Sequence, residues 1–291
     1  IKKIRSLTGI PITLDSEGAH IRNQNMESES VYFKEGDIVK IHQTAIIGNS
    51  SNISFTPNYI VDELRKGDKI RVDFNTVCLE VSEVKKDHIL AIVINEGYVG
   101  SNKAADVNRH INLNAVTPKD EAAFKIGIEL GINDFSLSFT NSAKDVDDIR
   151  KIIGYESNLI AKIESINGVL NLEEILPIVD QILIDRGDLS REIAIEKIPF
   201  IQRRIISYAR SRETPVFVAT NLLESMIKDN SPTRAEVNDV ASTLLMGADG
   251  LVLAAETAIG NYPIDSVKMT NSIIRQYNRW TPESSCKDII G

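Results

Sequence analysis

The second half of the chain alternates between two hydrophobic rhythms. Apolar runs of strand length occur at 134–139 (DFSLSF), 159–165 (LIAKIES), 181–187 (QILIDRG), 215–220 (PVFVAT) and 250–256 (GLVLAAE). Between them, apolar residues recur at helical spacing over 118–131, 143–154, 168–179, 196–212 and 233–247, and several of these stretches end in glycine, as helix C-termini do. This spacing predicts repeated βα units. Strands that read as continuous apolar runs suit a parallel sheet covered by helices. A TIM-type (β/α)8 barrel is the leading α/β architecture, with an open doubly wound sheet as the second choice.

One further strand of the same kind is expected near the start, in GIPITLDSEG (9–18). The next hundred residues differ: they are β-rich, with Gly-Asp turns and alternating apolar positions. Residues 19–107 are therefore expected to form an inserted small β-barrel domain above the strand tips, with 1–18 and 108–291 forming the (β/α) barrel. The count gives six barrel strands rather than eight. An unclosed barrel exposes sheet edges, so the expectation is a barrel incomplete at its N-terminus, either truncated or completed by strands from elsewhere. The first residue, Ile1 rather than Met, agrees with that expectation.

Composition narrows the function. The 291 residues are 42% hydrophobic and 25% charged, ordinary for a globular protein with a large core. A net charge of −8 argues against general nucleic-acid binding, though not against a local phosphate site. No apolar run approaches membrane-spanning length and no signal peptide is visible. Cys78 and Cys286 lie far apart without metal-like spacing, which suits a reducing, cytoplasmic setting.

In a barrel the chemistry sits at the C-terminal strand ends. Those ends supply Asp15 and Ser16; Lys162 and Glu164; Arg186, Gly187 and Asp188; Thr220; and Glu256. Lys162 and Glu164 are two apart, so both face one way while Ala161 and Ile163 face the other. Taken alone, a Lys-x-Glu pair more often reads as a structural ion pair. Asp188 at the end of the next strand weakens that reading, because two neighbouring carboxylates repel unless a cation lies between them. Lys162 could be that cation, and so could Mg²⁺ or Mn²⁺, which suit hard oxygen ligands. Gly187 would let a backbone N–H approach an anion, the stretch from Asp188 onward would open a helix toward it, and Thr220 would offer a hydroxyl. Asp185 is expected on the opposite face, outside the site. Arg186 reads as a structural or interface arginine. His20, His42, His88 and His110 form no ligand pattern and are expected at the surface. SPTRAEVNDV reads as a capped helix start with Pro232 near its first position, and its Arg234 could cross a subunit interface.

The segments AKIESINGV, DRGDLSREIAIEKIPFIQ, VATNLLESMI, SPTRAEVNDVA and LAAETAIGNYPIDSVKM, in this order and spacing, resemble the second half of the pyruvate kinase barrel. LDSEGAHIR and EGYVGSNKAADVN resemble the segments leading into and out of that family's mobile lid domain. The resemblance implies a glycolytic phosphotransferase that moves a phosphoryl group from phosphoenolpyruvate to ADP, giving pyruvate and ATP. It implies that Glu164 and Asp188 hold Mg²⁺ or Mn²⁺, that Lys162 and Thr220 act in catalysis, and that Gly187, Asp188 and Thr220 bind substrate. It further implies Asp15 and Ser16 at a K⁺ site, Arg22 and Lys103 on nucleotide phosphates, and a cytoplasmic homo-oligomer.

The chain departs from the family's pattern at several positions. Glu17 stands where a lysine is usual, Ala19 and His20 replace a proline and a glutamate, and Asn141 replaces an arginine. Residues 72–75 replace an aspartate-glycine turn, and Ala254 stands where a serine is common. The family's second barrel strand and its C-terminal regulatory domain are not found in this stretch. Because the departures cluster on the nucleotide side, two other readings stand beside the first. One is a protein that binds metal and an enolpyruvate- or oxaloacetate-type ligand without phosphoryl transfer; the other is a non-catalytic regulatory paralogue.

Overall fold

The structure, a computed structural model, describes residues 1–18, 20–73, 76–109, 111 and 113–290. Ala19, His110, and Phe74 and Asn75 of 72–75 lie outside the described residues. The chain divides into two compact units, Ile1–Gly18 with Ala115–Gly291, and Ala19–Asn114. Among the described residues no helix is long and apolar enough to cross a membrane.

The inserted unit carries β2 (Ile21–Asn23), β3 (Val31–Phe33), β4 (Ile38–His42), β5 (Asn52–Thr56), β6 (Lys69–Val72), β7 (Val77–Val84), β8 (His88–Asn95), β9 (Gly97–Val99) and β10 (Ala104–Val107). Seven of these strands close a barrel in the order β10-β2-β5-β4-β8-β7-β6, and β3 pairs with β9 beside it. The alternation read from the sequence is physical here. In β7, Val77, Leu79 and Val81 point into the core, which they share with Phe33, Val39, Ile41 and Phe55. Closure leaves the seven strands without an open edge.

The first unit is the α/β part. β1 (Thr13–Asp15), β11 (Asp134–Leu137), β12 (Asn158–Ile163), β13 (Gln181–Asp185), β14 (Val216–Ala219) and β15 (Gly250–Val252) form a six-stranded sheet in that order, with every pair parallel. One face carries Phe135, Leu137, Leu159, Ala161, Ile163, Ile182, Ile184, Val216 and Val218, all fully buried in a single cluster under the helices. The helices form for local reasons. Ser142 caps Ala143–Ile153 by accepting from the Asp145 N–H, Gly154 follows at φ 81°, and Val146, Ile149 and Ile153 make the buried stripe. Thr117 and Asp120 form a reciprocal capping box ahead of Pro118–Glu129. Gly127 lets that helix sit against β1, because a Cβ there would meet the Leu14 side chain at 2.7 Å.

Two local expectations change. The helix expected over 168–179 is broken into Ile166–Leu170, Leu172–Ile175 and a 3₁₀ turn at Leu176–Ile178. Asn171 leaves helical geometry at φ −97° and ψ 15°, and Pro177 cannot continue the ladder. Pro232 is not inside the next capped helix: Thr233 is its cap, paired with Glu236, and the helix runs Arg234–Leu245.

Candidate active site

The strand tips carry polar groups on the face turned away from the helices. Register decides which residues share that face. β1 pairs Asp15 with Ser136, and β12 pairs Lys162 with Leu183 of β13. Even positions of β12 therefore share a face with odd positions of β13, which puts Asp185 beside Lys162 and Glu164. This corrects the expectation that Asp185 lies outside the site: alternation along one strand is legible, but the offset between strands is not.

Lys162 is the centre of the arrangement. Its ammonium lies 2.9 Å from Asp15 Oδ2 and 3.0 Å from Glu164 Oε1, and it donates to Ser138 Oγ at 2.9 Å. Burial alone would lower its pKa, but the carboxylates of Glu164 and Asp15 outweigh that and hold the ammonium above its ordinary value. Glu164 is 1% exposed, and its Oε2 accepts from the Phe139 N–H at 2.7 Å. Burial pushes its carboxyl up to about 7 against the pull of Lys162, with Asp188 and Asp185 adding to the rise. Asp185 is raised as well, by burial first and by Asp188 next.

Glu164, Asp185 and Asp188 each offer an oxygen within 4.8 Å of the others. Three converging carboxylates, one of them buried, are a hard-oxygen donor set that fits a divalent ion of the Mg²⁺ or Mn²⁺ type. Asp15 and Ser16 are tied into the same network. Asp15 Oδ1 accepts from Ser136 Oγ at 2.6 Å while its other oxygen holds Lys162, and Ser16 Oγ accepts from the Ser138 N–H at 2.8 Å. The Asp15 side chain remains half exposed, and both residues offer oxygen donors of the hard type that an alkali cation takes.

The helix after β13 starts two residues earlier than expected, spanning Arg186–Glu192, because Asp185 itself is the cap: its Oδ1 accepts from the N–H groups of Gly187 and Asp188. The Gly187 N–H also lies 2.8 Å from Thr220 Oγ1. A Cβ on Gly187 would come within 3.2 Å of Asp185 Oδ1 and 3.4 Å of Thr220 Oγ1, so a side chain there would press on both. Thr220 sits at φ 68° and Asn221 at φ 53°, a conformation that a β-branched residue adopts only under constraint. Arg186 is part of that constraint. Its Nη2 and Nε donate to the Thr220 carbonyl at 2.6 and 3.2 Å, and its Nη1 pairs with Asp239 at 2.6 Å. Glu256, 1% exposed, holds the neighbouring loop by accepting from the Leu223 N–H at 3.0 Å and the Ala254 N–H at 2.9 Å.

Lys162, Glu164, Asp188, Gly187, Thr220 and Asp15 are thus brought together, with Ser16 behind them. Arg22 and Lys103 belong to the inserted unit, where they lie close to each other: Arg22 pairs with Ala104 across β2 and β10 and donates to the Asn102 carbonyl at 2.9 Å, while Lys103 lies 3.4 Å from Asp73. Among the departures, Glu17 is paired with Lys119 at 2.6 Å. Asn141 is taken up by local bonds, its N–H to Asp145 at 2.9 Å, its carbonyl to Asn171 at 2.7 Å and its side chain to Ser165 Oγ. Surface placement of the histidines is corrected for three of them: His20, His42 and His88 are half-buried, bonded to Arg22, Asn52 and Asp87. Sequence reasoning missed Asp185, Ser136 and Ser138. The serines had a visible signal, since DFSLSF alternates polar with apolar.

The family model described as "Pyruvate kinase, barrel domain" matches residues 1–267. The chain is 36% identical over 282 residues to a pyruvate kinase of Geobacillus stearothermophilus, covering 94% of this chain and 48% of that protein. It is 35% identical over 272 residues to one of Thermotoga maritima, covering 92% and 58%. A solved pyruvate kinase from Cryptosporidium parvum superposes with a TM-score of 0.82 at 31% identity, over 96% of this chain and 59% of that one. The chain spans about half the length of the curated relatives it matches. The matched family model covers most of the sequence, the solved relative shares the fold, and the chain belongs to the pyruvate kinase family.

Proposed function

We propose that the protein takes part in phosphoryl transfer from phosphoenolpyruvate to ADP, forming pyruvate and ATP in glycolysis, as a cytoplasmic homo-oligomer. The observation that carries the reading is the Lys162 ammonium held by Asp15, Ser138 and Glu164 beside the carboxylates of Asp185 and Asp188. In the transfer the enol C–O–P bond breaks at phosphorus, a bond forms from phosphorus to the terminal oxygen of ADP, and the enolate left behind takes a proton at carbon. Lys162 balances the charge on the moving phosphoryl group and on the enolate oxygen, and its fixed position means that little reorganisation is needed at the moment of reaction. Glu164 and Asp188, with Asp185 beside them, would hold Mg²⁺ or Mn²⁺, which supplies Lewis-acid stabilisation of the substrate oxygens when bound. Thr220 Oγ1 and the Gly187 N–H, now bonded to each other, would turn to the substrate carboxylate. Arg22 and Lys103 would meet the nucleotide phosphates.

A second reading, ligand binding without transfer, draws support from Glu17 and Asn141, where the usual lysine and arginine are replaced by groups engaged in local contacts. A coupled assay of pyruvate formation from phosphoenolpyruvate and ADP, with Mg²⁺ and K⁺, separates the two. ADP-dependent pyruvate supports the first. Metal-dependent oxalate binding with no ADP-dependent turnover would replace it with the second.

A further inference from the structure

The cations around the strand tips divide their duties. Lys162 serves Asp15 and Glu164, and Arg186 serves Asp239 and the Thr220 carbonyl. Asp188 is met from elsewhere. Arg191 lies three residues further along the Arg186–Glu192 helix, on the same side, with its Nη1 3.1 Å from Asp188 Oδ1. On an open surface such a pair contributes little. Here the Arg191 side chain is 14% exposed and the carboxylate it touches is one of three that converge within 4.8 Å.

We propose that Arg191 is a built-in counter-cation for this acidic cluster, one that a divalent ion must displace from Asp188 in order to bind. The inference rests on the metal reading above and deepens it. Three carboxylates this close repel one another, and two of them are partly shielded from water, so the cluster is strained wherever its charge is uncompensated. The guanidinium relieves that strain in the metal-free protein. It also competes for a ligand oxygen and adds a like charge beside the incoming ion, so it weakens metal binding. A residue that merely held the helix in place would have the opposite effect: its loss would misplace Asp188 and reduce metal affinity. The sign of the change therefore tells a counter-cation from a structural prop.

The test is a Mn²⁺ titration of the whole chain, with free Mn²⁺ read by electron paramagnetic resonance, on the wild type, Arg191→Met, Arg191→Gln, Arg191→Lys and Asp188→Asn. Met and Gln keep most of the side-chain stem, and either can stand in if the other folds poorly. The expected result is about tenfold tighter Mn²⁺ binding in Arg191→Met and Arg191→Gln, from removing one nearby like charge, with Arg191→Lys close to wild type. Thermal melts should show these two neutral variants less stable than wild type without metal and gaining more on Mn²⁺ saturation. Binding that Asp188→Asn abolishes but that the neutral Arg191 variants leave unchanged or weaker overturns the inference alone. The absence of saturable binding in every protein overturns the metal reading, and the inference falls with it.

Discussion

Lys162 and Glu164, two residues apart on the same face at the end of β12, form a buried ion pair of 3.0 Å in which each group shifts the other's protonation. Removing the lysine leaves Glu164 buried without its main cation, so Lys162→Met is expected to destabilise the fold by about 3 kcal/mol at neutral pH, less where Glu164 can take up a proton. In the proposed reaction the same change is expected to lower kcat by at least about a thousandfold while leaving metal binding measurable. Denaturant melts and the coupled assay check the two effects separately.

The raised Glu164 carboxyl sets a pH dependence for the metal-free protein. Its folded pKa of about 7 lies above the ordinary carboxylate value of 4.5, so between those values the folded state holds a proton that the unfolded state has lost. Stability from this group is present below the unfolded value and is lost as pH rises toward 7, by about 3 kcal/mol in total. Glu164→Gln should remove that slope. Urea melts at pH 5 and pH 7.5, with a chelator present, would show the difference between the two proteins; parallel pH profiles would refute the assignment.

Thr220 and Arg186 should be separable by kinetics. Thr220→Ala removes the hydroxyl that faces Gly187 and Asp185, and is expected to lower kcat/KM by about a hundredfold, whereas Thr220→Ser keeps the oxygen and most of the activity. Arg186→Met removes the two bonds to the Thr220 carbonyl, so the expected signature is faster hydrogen exchange at 220–223 and a raised KM. Unchanged exchange in that segment would show that Arg186 does not hold the loop.

A control lies at the opposite end of the strands. Arg150, 6% exposed, donates to the Ser157 carbonyl at 2.6 Å and pairs with Asp180 at 2.8 Å, where β12 and β13 begin. Arg150→Met is expected to cost about 3 kcal/mol of stability and to leave Mn²⁺ affinity as in the wild type, since nothing it touches reaches the strand tips.

Much of this site was legible because chemistry and period agreed. Lys162, Glu164 and Asp188 follow apolar runs, and their charges make little sense except at strand tips. Asp185 was not legible, because its facing depends on the offset between β12 and β13, which no single-strand pattern encodes. The break at Asn171 and Pro177 was visible in composition but was outweighed by apolar spacing on either side. Glu17 read as an isolated charge reversal, and only the fold supplies Lys119, about a hundred residues away, to neutralise it.

The closed strand order of the inserted unit bears on how the protein comes apart. Its first and last strands, β2 and β10, are hydrogen-bonded neighbours, and its apolar core from Ile21 to Ile111 is a cluster of its own. A segment whose two ends meet and whose interior is self-sufficient has what a cooperative unit needs. Heating should therefore melt the chain in two calorimetric steps, and residues 19–114 expressed alone should keep one of them.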